Sequence, residues 1–224
     1  GGSDPFVVLE DADLDKAVPM AVLSRFVNAG QTCIAAKRFI VVEAIADEFV
    51  RRFVEASARL QPGDPHAEGT GLAPMARADL RDEVHKQVLA SIAKGARPLL
   101  GCAPGQGDTV YPASILDHVA PGMPAYDEEL FGPVASVIRV RDEAQALRVA
   151  NDTAFGLGAS VWTRDAARGE AAARAITAGA CFVNAVVRSD VRLPFGGTKA
   201  SGYGRELAEH GIHEFMNIKT VYVG

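Results

Sequence analysis

The sequence predicts an α/β fold, a mostly parallel sheet with helices on both faces, and three observations carry that prediction. Short runs rich in Val, Ile and Phe recur along the chain, at residues 6–9, 38–43, 111–116, 133–140, 158–163 and 180–184, and read as strands. Between most of them lie amphipathic stretches of helical length, so strands and helices alternate as in βαβ units. The 224 residues are 48% hydrophobic, enough for the core of one large domain or two small ones.

Taken in order, Gly1-Gly2-Ser3-Asp4-Pro5 leads into the first strand. Acidic residues 11–15 open a helix that runs to about residue 28, with Asp13 as its N-cap. Leu14, Val18, Ala21, Val22 and Phe26 give it a helical period, and Pro19 is expected to kink it or displace its start. After the strand at 38–43, residues 47–60 form an amphipathic helix that Pro62-Gly63-Asp64-Pro65 stops. Residues 76–94 form the next, ended by Gly95, and 98–100 a short strand. Asp142 caps a helix to residue 151, and a helix over 165–178 is expected to end on Gly179. Residues 187–205 are irregular and Gly-rich, with a short helix after them. Residues 216–223, MNIKTVYV, alternate polar and apolar side chains, the pattern of a half-exposed edge strand suited to pairing with another subunit. Ligands of parallel α/β sheets gather at the carboxyl ends of strands, and that is where a site is expected.

The formal charge of −5 gives no basic footprint for nucleic acid. No apolar run approaches the roughly 20 residues that span a bilayer, and no charged-then-apolar leader is visible. Cys33, Cys102 and Cys181 are few and far apart, which fits a reduced, cytoplasmic protein better than a disulfide framework. No HExxH or paired-cysteine spacing points to a metal. His210 and His213 read as a polar helix end.

Three stretches of odd composition remain. Cys33 sits in FVNAGQTCIAAKR, a short turn between a helical run and a strand. A thiol there can be aimed into a cleft, and the Cys33 N–H can serve as an oxyanion donor, with Gly30 allowing close backbone approach. The competing reading is a small buried hydrophobe. Glu128-Glu129-Leu130-Phe131-Gly132-Pro133 offers a carboxylate able to take ribose hydroxyls and an aromatic able to pack on a flat ring, or else is a solvated turn. Pro194-Phe195-Gly196-Gly197 and Ser201-Gly202-Tyr203-Gly204-Arg205 form a turn-rich loop that lacks the strand-then-helix context of a dinucleotide fingerprint.

Together, FVNAGQTC, EELFGPV, NDTAFGLGASVWT, FVN and LPFGGTKASGYGREL come in an order that resembles the catalytic, C-terminal part of the NAD(P)-dependent aldehyde dehydrogenases. The resemblance spans essentially the whole chain. It implies a catalytic domain over 1–214 and, over 215–224, the strand of an oligomerisation element. It places Cys33 as the nucleophile that adds to an aldehyde, and its N–H as half of the oxyanion hole. Glu129 falls on the residue that holds the nicotinamide ribose and Phe131 on the one that lines the nicotinamide site. Asn184 and Phe195 fall beside the substrate funnel. The cofactor implied is NAD or NADP, with most of its contacts in an N-terminal Rossmann domain of the same polypeptide that precedes this stretch. Gly1-Gly2 match the glycines of the family's E-L-G-G motif, whose Glu is the general base; a Gly-Gly-Ser scar is the competing explanation.

GGSDPFVVLEDADLD and RSDVRLPFGGTKASGYGRELAEHGIHEFMNIKTV are most similar to succinate-semialdehyde dehydrogenases. Arg188, Ser189 and Arg192 would then grip the substrate carboxylate. One departure is Val27, where some members carry an arginine. A broader aldehyde range is the alternative within the family. Two other classes are a cysteine esterase and a non-catalytic assembly module. The expected partners are a small aldehyde, the Rossmann domain and a second copy in a homo-oligomer, a dimer or tetramer, with neither nucleic acid nor membrane.

Overall fold

A computed structural model describes residues 1–224. The chain runs β1 (Asp4–Val8), α1 (Leu14–Phe26), a 3-10 turn (Val27–Gly30), β2 (Ala36–Val42), α2 (Glu43–Ser57), α3 (Ala78–Ala93), β3 (Arg97–Leu100), β4 (Ser114–Asp117) and α4 (Pro124–Asp127). It continues through β5 (Val134–Val140), α5 (Glu143–Asn151), β6 (Phe155–Gly156), β7 (Gly158–Trp162), α6 (Ala166–Ala175), β8 (Ala180–Val183), β9 (Thr198–Lys199) and α7 (Ala208–His213).

Seven strands form one sheet in the order β3-β4-β5-β2-β1-β7-β8, and β6 pairs with β9 in a separate ribbon. Every neighbour pair in the main sheet is parallel except β3 with β4, which closes one edge antiparallel. The central strands are buried on both faces, which is why β1 and β2 read as unbroken apolar runs rather than alternating ones. Phe6, Val8, Phe39 and Val41 point to the face that α1 and α2 cover with Ala17, Ala21, Phe49 and Phe53. Val7, Ile40, Val42 and Ile138 point to the other, under Val84 of α3, Ala146 of α5 and Ala172 of α6. Ring centroids 5.2 Å apart for Phe6–Phe39, 5.1 Å for Phe6–Trp162 and 4.8 Å for Phe39–Phe53 lock the centre of the first face. No helix is long and apolar enough to cross a membrane.

The caps follow the sequence where short polar side chains precede a helix. Asp13 accepts from the Asp15 N–H, and Asp142 from the Gln145 N–H at 2.7 Å. Pro19 lies inside α1 without ending it. Gly95, at φ +111°, stands just past the end of α3 as expected.

Two expectations need correction. Helix α2 begins at Glu43, directly out of β2, four residues before the amphipathic pattern suggested. Helix α6 ends on Ile176, and Gly179 is not its cap. Gly179 instead answers a close approach, for a Cβ there would stand 2.7 Å from the Gly196 carbonyl carbon. Residues 216–223 are unpaired within the single chain, and Ile218 and Tyr222 are 91% and 88% exposed. A strand needs a neighbour to take its N–H and C=O groups, and this chain folded alone offers that segment none.

Candidate active site

The odd stretches do converge, but at the amino edge of the sheet, not at the carboxyl edge. Gly1-Gly2 precede β1, Cys33 precedes β2, Glu129 and Phe131 precede β5, and Leu157 precedes β7. The residues between α1 and β2 make this possible. Asn28, Ala29 and Gly30 take φ of 53°, 53° and 71°, a left-handed turn that reverses the chain. Asn28 and Gln31 clasp it with reciprocal side-chain-to-carbonyl bonds of 3.1 Å, and the Ala76 N–H donates to Gln31 Oε1. Gly30 is needed twice over. Its φ suits glycine, and a Cβ would stand 2.6 Å from the Gly132 carbonyl carbon. The GQTC and FGPV stretches thus abut backbone to backbone.

Beneath the Cys33 turn lies a buried charge cluster that the sequence did not single out. Arg25 donates to the carbonyls of Gly30 at 2.7 Å and Ala36 at 2.9 Å. Lys37, 1% exposed, donates through Nζ to the carbonyls of Thr32 at 2.9 Å and Cys33 at 2.8 Å, and pairs with Glu129 Oε1 at 3.3 Å. The Gly2 N–H donates to the same Glu129 oxygen at 3.0 Å. Asp4 is buried beside them and accepts from the Gly158 N–H at 3.1 Å, while its second oxygen has no partner. A Cβ on Gly2 would stand 2.9 Å from both Asp4 Oδ1 and the Cys33 carbonyl oxygen, so the group is tightly closed. Burial pushes the Asp4 carboxyl up to about 6, against the pull of Lys37. Burial likewise pushes Lys37 down to about 8 and Arg25 down to about 9. A signal for this was present, because a lysine and an arginine opening a strand flanked on both sides in a parallel sheet cannot both reach solvent.

A cleft of about 420 Å3 opens over this cluster. Cys33 lines it with Gly1, Phe195, Ser201, Tyr203 and Arg205. Cys33 is half-buried, and its N–H donates to nothing in the chain. Glu129 has one oxygen anchored by Gly2 and Lys37, which leaves Oε2 free to accept from a ligand hydroxyl. Phe131 is 37% exposed, with Lys37 Nζ 6.0 Å from its ring centroid. Lys37 thus lies between the two, paired with the Glu129 carboxylate and over the partly exposed Phe131 ring.

The other candidates divide. Phe195 is held by paired backbone bonds to Glu206 at 2.8 and 2.7 Å and faces the cleft. Asn184 does not join it. Strand β8 runs away from the Cys33 edge, so its last residue emerges at the opposite edge. There the Asn184 amide exchanges bonds with the Thr163 backbone at 3.1 and 2.8 Å. The loop then returns, and Val187 packs on Gly158 at the amino edge, 2.8 Å from where a Cβ would be. That carries exposed Arg188 and Ser189 back toward the Cys33 side. Arg192 is exposed and committed to Asp190, at 2.9 and 2.6 Å. The guanidinium pulls the Asp190 carboxyl well below the ordinary range. No cluster of metal-ligating side chains is present.

Comparison with known proteins gives a consistent result. The aldehyde dehydrogenase family profile matches residues 1–221. The chain is 51% identical over 223 residues to a succinate semialdehyde dehydrogenase [NAD(P)+] of Escherichia coli (strain K12), covering 99% of this chain and 48% of that protein. It is 48% identical over 224 residues to a probable succinate-semialdehyde dehydrogenase [NADP(+)] of Synechocystis, covering 100% and 49%. Among solved structures, a salicylaldehyde dehydrogenase from Pseudomonas putida G7 superposes with a TM-score of 0.94 at 41% identity, covering 98% and 45%. Lactaldehyde dehydrogenase from Escherichia coli superposes with 0.96 at 32%, covering 100% and 47%. The chain spans about half the length of the curated relatives it matches.

Proposed function

Because the chain belongs to the aldehyde dehydrogenase family, we propose that it is the thiol-bearing part of an NAD(P)-dependent enzyme that oxidises an aldehyde to the carboxylic acid. Cys33 is the nucleophile. Its sulfur adds to the aldehyde carbon, and the developing oxyanion takes the free Cys33 N–H. A nicotinamide held beside Glu129 and Phe131 would supply the hydride acceptor, and Cys33 keeps the oxidised acyl group as a thioester. Water then releases the acid, with its proton taken by a base that the family resemblance places just before Gly1. Glu129 would hold the ribose of that cofactor and Phe131 would line its nicotinamide site. Phe195 walls the substrate side. The observation that carries this reading is the convergence of Cys33, Glu129, Phe131 and Phe195 around one edge of the sheet.

The substrate we infer is succinate semialdehyde. Both curated relatives described above are named for it, and exposed Arg188 and Ser189 lie on the loop that returns to the Cys33 edge. Arg188 is the better carboxylate partner than Arg192, whose fork Asp190 already fills. Arg188, Ser189 and the Arg192–Asp190 pair form the polar rim of a site whose wall is Phe195. Without the preceding half, these 224 residues alone are inactive as a dehydrogenase. Residues 216–223 gain their strand partner in a homo-oligomer.

The test uses the full-length protein and follows reduced-nicotinamide absorbance. Succinate semialdehyde is expected to exceed butanal in kcat/KM by about tenfold or more, the worth of a charge-assisted pair. Cys33→Ser is expected to abolish turnover. Near wild-type turnover by Cys33→Ser would refute the nucleophile, and equal kcat/KM for the two aldehydes would refute the substrate.

A further inference from the structure

Cys33 can serve as an oxyanion donor only if its N–H points into the cleft, and loops do not hold peptide planes by themselves. The Cys33 turn has no ladder partner. Its only local backbone bond across the cysteine is from the Ala35 N–H to the Thr32 carbonyl at 3.1 Å. What fixes it is a side chain from the strand that follows. We propose that Lys37 is a positioning residue: by holding the carbonyls of Thr32 and Cys33 on the buried side of the turn, it aims the Cys33 N–H into the cleft.

The argument is geometric. A peptide unit is planar and trans, so its C=O and N–H point in opposite directions. Thr32 C=O and Cys33 N–H belong to one such unit. With the Thr32 oxygen 2.9 Å from a buried ammonium, the Cys33 N–H must face away from it, toward the side that is open. The Cys33 carbonyl, 2.8 Å from the same nitrogen, fixes the next plane. One ammonium thus holds both planes that flank Cys33, the first of them together with the Ala35 N–H. An ammonium has three N–H donors, and Lys37 has three acceptors: these two carbonyls and Glu129 Oε1. The third contact ties the aim of the cysteine to the carboxylate proposed to hold the ribose. Asp4, Glu129 and Arg25 are the charged groups around it. Lys37 is not among the residues that line the cleft.

This inference rests on the reading of Cys33 as nucleophile, and the experiment separates the two. In the full-length protein, Lys37→Met is compared with wild type for aldehyde turnover and for alkylation by iodoacetamide, a reaction at the same sulfur that develops no oxyanion. Lys37→Met is expected to lower kcat by about tenfold or more, toward the ~10²–10³ that a lost oxyanion donor costs. The aldehyde KM and the alkylation rate are expected to stay within about threefold of wild type, since a merely misaimed donor affects neither ground-state binding nor thiol access. A kcat within twofold of wild type would overturn the proposal. So would a parallel fall in alkylation, which would mark a general collapse of the turn. If Lys37→Met does not fold, the double variant Lys37→Met with Asp4→Asn, which removes the opposing buried charge, is assayed instead. Failure of both to fold would make Lys37 a folding residue and also overturn it. Cys33→Ser is run in parallel, and turnover by that variant sinks the nucleophile reading whatever Lys37 does.

Discussion

Gly30→Ala offers the sharpest test of how the site is assembled. The substitution adds one methyl group at a residue with φ +71°. A left-handed conformation costs an L-residue about 1–2 kcal/mol relative to glycine. The new Cβ would also stand 2.6 Å from the Gly132 carbonyl carbon, where ordinary contact begins near 3.4 Å, so two backbones must separate. Overpacking of that kind costs about 1–3 kcal/mol. The methyl also collides with Arg25 Nη2, whose 2.7 Å bond to the Gly30 carbonyl closes the turn, and weakening a charged hydrogen bond costs about 1–2 kcal/mol more. Together these give about 3–7 kcal/mol. For a chain of 224 residues, at about 2–4 °C per kcal/mol, the melting temperature should fall by roughly 6–28 °C. Thermal unfolding followed by circular dichroism measures it. A fall of less than about 3 °C would mean that the Cys33 and Gly132 loops separate freely, and the account of their abutment would be wrong.

Two further expectations follow from neighbouring geometry. Gly179→Ala places a methyl 2.7 Å from the Gly196 carbonyl carbon, so the 194–197 turn must move. Because that turn carries Phe195, the full-length enzyme should show an aldehyde KM raised about fivefold or more, and an unchanged KM in steady-state kinetics would refute the coupling. The second concerns pH. The Asp4 carboxyl titrates near 6 when folded against 3.8 in its ordinary state, so the folded chain holds the extra proton between those values. Stability from this group is therefore complete below about 4 and is lost as pH rises through 6, by up to about 3 kcal/mol. Asp4→Asn should gain on wild type by that order across the window in urea unfolding, and a constant difference from pH 4 to 6 would contradict the assignment.

The sequence made most of the fold legible because the strong signals were local. Asp13 and Asp142 announce helices by cap chemistry, and the Phe and Val runs of β1 and β2 announce central strands by composition. What it did not reveal depends on direction. The carboxyl-edge expectation is a rule for open sheets whose loops after strands carry the ligand, and here the loops before strands carry it. Whether Asn184 or Cys33 faces the cleft then depends on which way β8 and β2 run, a property of topology rather than of either motif. Gly179 was read as a helix cap because a glycine after a helix is usually one. Its actual constraint is the Gly196 backbone, which lies far off in sequence. The alternation over 216–223 is a strand pattern without a strand, since pairing is a property of two chains or segments and not of one.

The buried cations show the cost of building a site from loops. Strands satisfy their carbonyls in the ladder, but the turns that precede them at the amino edge have no such neighbours. Arg25 supplies donors to Gly30 and Ala36 and Lys37 to Thr32 and Cys33, while Arg38 serves Ser3 ahead of β1 and the last-turn carbonyls of Val149 and Ala150 in α5. Each sits where burial disfavours its charge, and each is pushed down from its ordinary value, Arg38 to about 10. An apolar core would hold the sheet at less expense. It could not hold carbonyls pointing inward so that an N–H points outward. For Arg25 and Lys37 the unfavourable burial is therefore located where orientation matters more than stability, in the turn around Cys33. A scaffold optimised only for packing would have no reason to place two cations beneath a single cysteine.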